Sequence, residues 1–261
     1  LKKNKMLERD KRSHKGDNGK VMVIGGNEMF HGAPILCALG AEYSGVDLIF
    51  PFIPSCHAQV ARTYSLNFII QYFHETHLTP KDVKPILNFS KKVGVVVIGP
   101  GLGTAPETQK AIKELLAKFD VPTVVDASAL IYTNNLPKNV VLTPHHGEFR
   151  ELSGDEPTPE NVQKFAEQAK ATVVCKGPED IISDGNNTAL NKTGNELMTV
   201  GGTGDVLAGF IGGLMAQGLT GFEAGKMATR LLGQAADNFK KIHGSLRAID
   251  LARMIPEMLL K

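Results

Sequence analysis

The sequence predicts an α/β protein: a mostly parallel central sheet with helices packed on both faces. Three observations carry that expectation. Short apolar runs alternate with helix-like stretches along most of the chain, the pattern of repeated strand–helix–strand units. The run 93–98 is apolar and β-branched apart from Gly94, as a strand buried on both faces requires. Several runs end in glycine-rich loops, where such sheets place their ligands.

The elements follow in order. Residues 21–24 read as a strand ending in Gly25-Gly26, followed by a helix over 33–44 and a strand over 47–50. A weaker strand is expected at 68–71. Thr79-Pro80 supplies a cap and a first-turn proline for a helix reaching 91. The strand 93–98 leads to a helix over 106–119, then strands at 123–126 and 140–143. Thr158-Pro159 opens another helix, to 169, before a strand at 172–176. Residues 180–183 and 188–190, around Asp184-Gly185-Asn186-Asn187, read as a hairpin. Three helices close the chain, at 205–217, 221–241 and 247–259; the middle one starts with the capping-box pair Thr220 and Glu223. No linker or internal repeat divides the sequence, so one domain is expected over 1–261, with residues 1–18 as a basic, solvated N-terminal arm.

Composition narrows the functional classes. Of 261 residues, 42% are hydrophobic and 21% charged, ordinary for a globular chain. A net charge of +2, without a dense basic run, gives no footprint for a nucleic acid partner. Cys37, Cys56 and Cys175 are far apart and lack metal-ligand spacing, which suits a reducing compartment and a cytoplasmic location. No apolar stretch approaches the ~20 residues that span a bilayer. No secretory signal pattern opens the chain, and Leu1 is not a natural start, which leaves room for residues upstream.

The most informative motif is Gly201-Gly202-Thr203-Gly204-Asp205, running into an apolar helix. Glycines admit a ligand close to the backbone, and a helix start points free N–H groups and a positive dipole end at it. That suits a phosphate. An aspartate there repels phosphate unless its task is to take a proton from an attacking hydroxyl, so Asp205 is the candidate general base; the plainer alternative is a turn with Asp205 as an N-cap. Gly99-Pro100-Gly101-Leu102-Gly103 ends a strand and resembles half of a dinucleotide fingerprint, with the spacing G-x-G-x-G. Thr143-Pro144-His145-His146-Gly147-Glu148 brings a histidine and a carboxylate to a strand end; Glu148 can hold a metal ion or a water, and His145 can bond an amide or a ribose. Lys176-Gly177-Pro178-Glu179-Asp180 offers a phosphate-pairing lysine or a plain turn. Asp126 either caps the next helix or lies in the phosphate or metal region. His74-Glu75-Thr76-His77 lacks zinc-protease spacing and reads as surface, and Gly16-Asp17-Asn18-Gly19-Lys20 precedes a strand where a P-loop follows one.

Arg12-Ser13-His14-Lys15-Gly16, Gly19-Lys20-Val21, Gly32-Ala33-Pro34, the loop from Gly99 to Gly103, Thr143-Pro144-His145 with Gly147-Glu148, Lys176-Gly177 and the run from Gly201 to Asp205 occur in this order over nearly the whole chain. That series resembles the ADP/ATP-dependent NAD(P)H-hydrate dehydratases, repair enzymes of the ribokinase-like fold. The resemblance implies a three-layer α/β/α sandwich. It implies conversion of (S)-NADHX or (S)-NADPHX to NADH or NADPH with ATP or ADP and Mg²⁺. Asp205 would deprotonate the C6 hydroxyl of the hydrated ring, which then attacks the terminal phosphoryl group. Ala33, Gly101, Gly103 and His145 would contact the hydrated dinucleotide. Lys176, Gly177, Pro178, Glu179 and Asp180, with Gly201, Gly202, Thr203 and Gly204, would hold the adenine nucleotide. Glu148 would be associated with Mg²⁺, directly or through water. His146 departs from the family, which commonly has proline there. By analogy a homo-oligomer, a tetramer, is expected, with apolar faces on 33–44 or 221–241 as its interface. The rivals are a ribokinase-like kinase of a small alcohol or vitamin precursor, a redox enzyme reading NAD through the Gly99–Gly103 loop, and a nucleotide sensor without turnover.

Overall fold

The computed structural model describes residues 9–73, 75–131 and 135–260; His74 of the surface tetrad and residues 1–8 of the arm lie outside them. The elements in chain order are β1 (Lys20–Ile24), α1 (Gly32–Tyr43), β2 (Leu48–Pro54), α2 (Ala58–Tyr64), β3 (Gln71–Phe73), α3 (Pro80–Ser90), β4 (Val95–Ile98) and α4 (Pro106–Lys118). There follow β5 (Thr123–Val125), β6 (Val140–Leu142), α5 (His146–Ser153), α6 (Pro159–Ala169), β7 (Thr172–Cys175), β8 (Asp180–Ser183), β9 (Thr188–Asn191), α7 (Thr203–Ala216), α8 (Gly221–Lys240) and α9 (Ala248–Met258).

The strands form one sheet in the order β3-β2-β1-β4-β5-β6-β7-β8-β9. It is parallel from β3 to β7, and β8 and β9 add antiparallel at one edge. Alternation along each strand feeds two cores. Val21, Val23, Val95 and Val97 pack under α1, α7, α8 and α9. Met22, Ile24, Val96 and Ile98 pack under α3, α4, α5 and α6. Continuous apolar strands are thus explained by burial on both faces.

The strand order reverses between β1 and β4, so their carboxyl ends open a crevice. There the Gly26 N–H donates to the Pro100 carbonyl at 2.8 Å, tying the two loops together. Helix α7 is buried from Val206 to Met215, as a helix apolar on all sides must be. Its axis lies close to α1: a Cβ on Gly209 would stand 1.8 Å from the Cys37 carbonyl oxygen, and one on Gly40 2.3 Å from that of Val206. Only glycine fits at either crossing point.

Several expectations need correction. The expected strand at 68–71 is a single bridge, Ile49 to Phe68, and the strand itself starts at Gln71. Helices α2 and α5 were not foreseen; both are short and follow loops rich in turn residues. The described part of the arm is anchored. Asp47 accepts hydrogen bonds from the N–H groups of Gly16 and Asn18 and pairs with Arg9 at 3.0 Å. Most apolar residues of α1 and α8 build the core, and Leu36, Tyr43, Phe222, Met227 and Phe239 are only partly buried against it. Exposed apolar side chains gather elsewhere, at Val60, Tyr64, Leu66 and Ile69, beside the edge strand β3. Among the described residues no helix is long and apolar enough to cross a membrane.

Candidate active site

The glycine run turns the chain into α7. Gly202 is the N-cap and takes φ 100°, which side-chain-bearing residues rarely adopt. The Thr203 hydroxyl donates back to the Met198 carbonyl at 2.9 Å and pins the turn. The first turn of α7 leaves N–H groups without helical partners. Asp205 is the third helical residue and not the cap, so its carboxylate is not committed to closing the turn. Burial, then the Asp126 charge, push its pKa from the ordinary 3.8 to about 7, against the opposing pull of Lys176. That is the range of a general base at neutral pH.

Lys176 stands beside this turn: its Nζ would be 3.3 Å from a Cβ on Gly204. It extends from the end of β7, where its N–H donates to the Pro144 carbonyl at 2.8 Å. Its ammonium pairs with Asp126 at 2.9 Å, and the Thr143 hydroxyl donates to the same carboxylate oxygen at 2.6 Å. Burial works against the lysine charge, yet Asp126, Glu148 and Asp205 together raise its pKa. Asp126 stands at the N-cap position of the short turn Ala127–Ala129, but its buried carboxylate makes no capping hydrogen bond and belongs to the charge cluster.

His145 caps α5. Its Nδ1 accepts from the N–H groups of Gly147 and Glu148, and Glu148 answers by accepting from the His145 N–H at 2.7 Å. With Nδ1 accepting, the ring hydrogen sits on Nε2, which lies 3.6 Å from Glu148 Oε2. His146 is the first helical residue of α5; its ring packs on Gly177, and its buried Nε2 has no partner.

His145, Lys176, Gly177, Pro178, Asp180, Thr203 and Gly204 line one cavity of about 610 Å³. Asp180 accepts from the Gly177 N–H at 3.1 Å and from Asn191 Nδ2 at 2.9 Å, which closes the turn around the lysine. Glu179 does not line this cavity and faces Lys192 instead, at 3.4 Å. Gly201 lines a separate, smaller cavity of about 230 Å³ with Gly32 and Arg247.

Ala33 and Gly101 come side by side at the crevice: a Cβ on Gly101 would lie 3.1 Å from that of Ala33. Gly99, Gly101 and Gly103 all have positive φ, so this loop is first a turn that glycine permits. Asn27 and Phe30 also border it, contacts that the sequence did not flag. One turn beyond Ala33 on α1, burial followed by the Asp205 and Asp126 charges pushes the Cys37 thiol well above its ordinary range. Asp205 therefore lies near Cys37 of α1, and it does not itself line the 610 Å³ cavity.

That cavity has a wall the sequence reading missed. Thr193, Gly194, Asn195, Met198, Leu207 and Leu232 supply it, an apolar surface with polar edges that suits a flat heterocycle. The only local signal was Thr193-Gly194-Asn195, a turn composition just ahead of the glycine run.

Among the described residues no three His, Cys, Asp or Glu side chains form a metal cage. Carboxylates beside an anion site still fit Mg²⁺, which is commonly held by one or two carboxylates, waters and substrate phosphates. Glu148 uses Oε2 as a cap acceptor and keeps Oε1 for such a role.

A family model described as NAD(P)H-hydrate dehydratase matches residues 21–257. The chain is 38% identical over 252 residues to the bifunctional NAD(P)H-hydrate repair enzyme Nnr of Archaeoglobus fulgidus, covering 95% of this chain and 52% of that one. It thus spans about half the length of that relative. It is 35% identical over 260 residues to the ADP-dependent (S)-NAD(P)H-hydrate dehydratase of Cenarchaeum symbiosum, covering 95% of this chain and 90% of that one. The ADP/ATP-dependent NAD(P)H-hydrate dehydratase of Bacillus subtilis, crystallised with ATP and Mg²⁺, superposes with a TM-score of 0.80 at 27% identity, covering 97% and 92% of the two chains. The fold is accordingly the ribokinase-like three-layer sandwich.

Proposed function

The chain belongs to the NAD(P)H-hydrate dehydratase family, and from that premise we propose that it dehydrates (S)-NADHX or (S)-NADPHX at the expense of ATP or ADP. The observation that carries this reading is the position of Asp205. A carboxylate with a pKa near 7 stands in the first turn of α7, next to Thr203 and Gly204, which line a cavity that also holds a lysine.

The hydrated ring enters at Ala33, Gly101 and Gly103, with His145 Nε2 donating to the dinucleotide. Lys176, Gly177, Pro178 and Asp180 hold the nucleotide phosphates and ribose, with Thr203 and Gly204 at the helix start. Gly201 and Gly202 shape that start, and Glu179 secures the turn through Lys192. Asp205 takes the proton of the C6 hydroxyl, whose oxygen attacks the terminal phosphorus and expels the shortened nucleotide. The N–H groups of α7 and the Lys176 ammonium stabilise the charge on the transferring group. The ring-nitrogen lone pair then expels phosphate from C6, and loss of a C5 proton restores the C5–C6 double bond. Mg²⁺, when bound beside Glu148, offsets the charge of the terminal phosphates.

A single domain spanning the chain performs this work, in the cytoplasm, as a homo-oligomer, a tetramer by analogy. The three unpaired cysteines accord with a reducing compartment. The test is absorbance at 340 nm after mixing the protein with (S)-NADHX and Mg²⁺, with ATP and ADP in separate cuvettes. A nucleotide-dependent rise supports the reading and identifies the donor. No rise, in protein that binds nucleotide, favours a small-alcohol kinase or a nucleotide binder without turnover instead.

A further inference from the structure

Helix α8 holds one wall of the 610 Å³ cavity by a single stripe of positions. The Thr193 hydroxyl lies 3.1 Å from the Arg230 carbonyl oxygen. At the next position of the stripe, a Cβ on Gly233 would stand 2.2 Å from that hydroxyl and 2.6 Å from the Thr193 carbonyl carbon, so the segment rests directly on the helix backbone. Asp237 then accepts two hydrogen bonds, from the Gly194 N–H at 3.1 Å and from Asn195 Nδ2 at 3.0 Å. Lys240 finally pairs with Glu196 at 2.6 Å. Positions 230, 233, 237 and 240 recur at the spacing of one helix face.

The held segment, residues 193–196, lines the cavity together with Met198 and Thr199. It is also wired to the lysine turn. Asp180 accepts from Asn191 Nδ2 at 2.9 Å, and Asn191 Oδ1 lies 2.8 Å from the Thr193 hydroxyl. Asp237 does not line the cavity. It is nevertheless the group in this stripe that engages both a backbone and a side-chain donor of the wall. Charge-assisted bonds of that kind are roughly twice as strong as neutral ones. Without them, the Gly194 N–H loses its acceptor and the Asn195 side chain is held only through its Oδ1, which accepts from the Leu197 N–H at 3.1 Å, so the wall is tied to α8 at its ends and not at its centre.

We propose that Asp237 is a positioning residue for the adenine nucleotide. It sets the 193–196 wall at the distance at which a nucleotide fits, and takes no part in the chemistry at Asp205. The proposal rests on the nucleotide reading of this cavity.

The test uses the whole chain with Mg²⁺, in three forms: parent, Asp237→Ala and Asp237→Asn. ADP affinity is measured by calorimetric titration, and kcat and KM for both substrates by the 340 nm assay. Asp237→Ala is expected to weaken ADP binding and raise the nucleotide KM about tenfold, as loss of two charge-assisted bonds predicts. The kcat and the dinucleotide KM stay within about twofold of the parent. Asp237→Asn keeps one acceptor oxygen and is expected to fall between the two. An Asp237→Ala protein that binds ADP like the parent overturns the proposal, as does a fall in kcat with nucleotide KM unchanged. If Asp237→Ala does not fold, Asn195→Ala removes one of the same bonds, and unchanged ADP affinity in it overturns the proposal equally. A parent that binds no ADP overturns the nucleotide reading and this inference with it. Parent binding with an indifferent variant removes only the role of Asp237.

Discussion

Asp205 joins two properties that usually exclude each other, a negative charge and a seat at a phosphate site. Burial and the neighbouring Asp126 charge reconcile them by keeping its proton until pH passes about 7. Asp205→Asn is expected to lower turnover by about 10²–10⁴-fold while ADP binding stays, and a mutant retaining more than a few per cent of the parent rate would show that another group is the base. The same shift has a stability consequence. The folded protein keeps a proton that the unfolded chain loses above the ordinary 3.8, so the folded state loses stability between there and about 7. Asp205→Asn removes that penalty. It is expected to be more stable than the parent by ~1–2 kcal/mol at pH 8, with little gain near pH 4, in urea unfolding at both pH values. Asp126 raises the Asp205 pKa and neutralises Lys176, which lowers it. Asp126→Asn therefore acts twice in one direction. The acid limb of the pH–rate profile is expected to move to lower pH, and an unmoved limb would detach it from Asp205.

At the scale of elements, α1, α5 and α7 decide where the chemistry sits. Helix α7, with Asp205 in its first turn, can lie this close to α1 only because Gly40 and Gly209 let the two backbones touch. Gly209→Ala forces a methyl group into the Cys37 carbonyl and is expected to cost at least about 2 kcal/mol in urea unfolding. In α5, His146 occupies the first helical position, where proline is well suited and no backbone N–H is needed. It also buries a ring nitrogen without a partner. His146→Pro is therefore expected to stabilise the protein by about 0.5–1 kcal/mol, read as a raised melting temperature, while His145 and Glu148 keep their reciprocal cap.

For the whole molecule, the reversal of strand order between β1 and β4 is what brings distant loops to one place. It sets the Gly25-Gly26 turn beside the Pro100 loop, and it lets α7, which follows the last strand in sequence, return to pack against α1. The exposed apolar residues beside β3 are the surface on which the proposed self-association is tested. Light scattering is expected to report a mass above that of a monomer, and Leu66→Glu to lower it. A monomeric parent at working concentration would refute this.

Local pattern alone determined most elements, because a buried strand and an amphipathic helix each leave a short-range signature of apolar spacing. It also determined the glycine run with Asp205 and the lysine turn, since an anion site needs glycine and charge close together in sequence. The short helices α2 and α5 were not legible, as neither is long enough to show a helical period. The sequence left Asp126 between a cap and the phosphate or metal region, because its partners Thr143 and Lys176 lie 17 and 50 residues away. Asp237 was equally hidden, because it acts through a loop 43 residues earlier that only the packing of α8 brings to it. Charge pairing and wall placement depend on which segments the sheet order makes neighbours, and that order is a property of the folded chain.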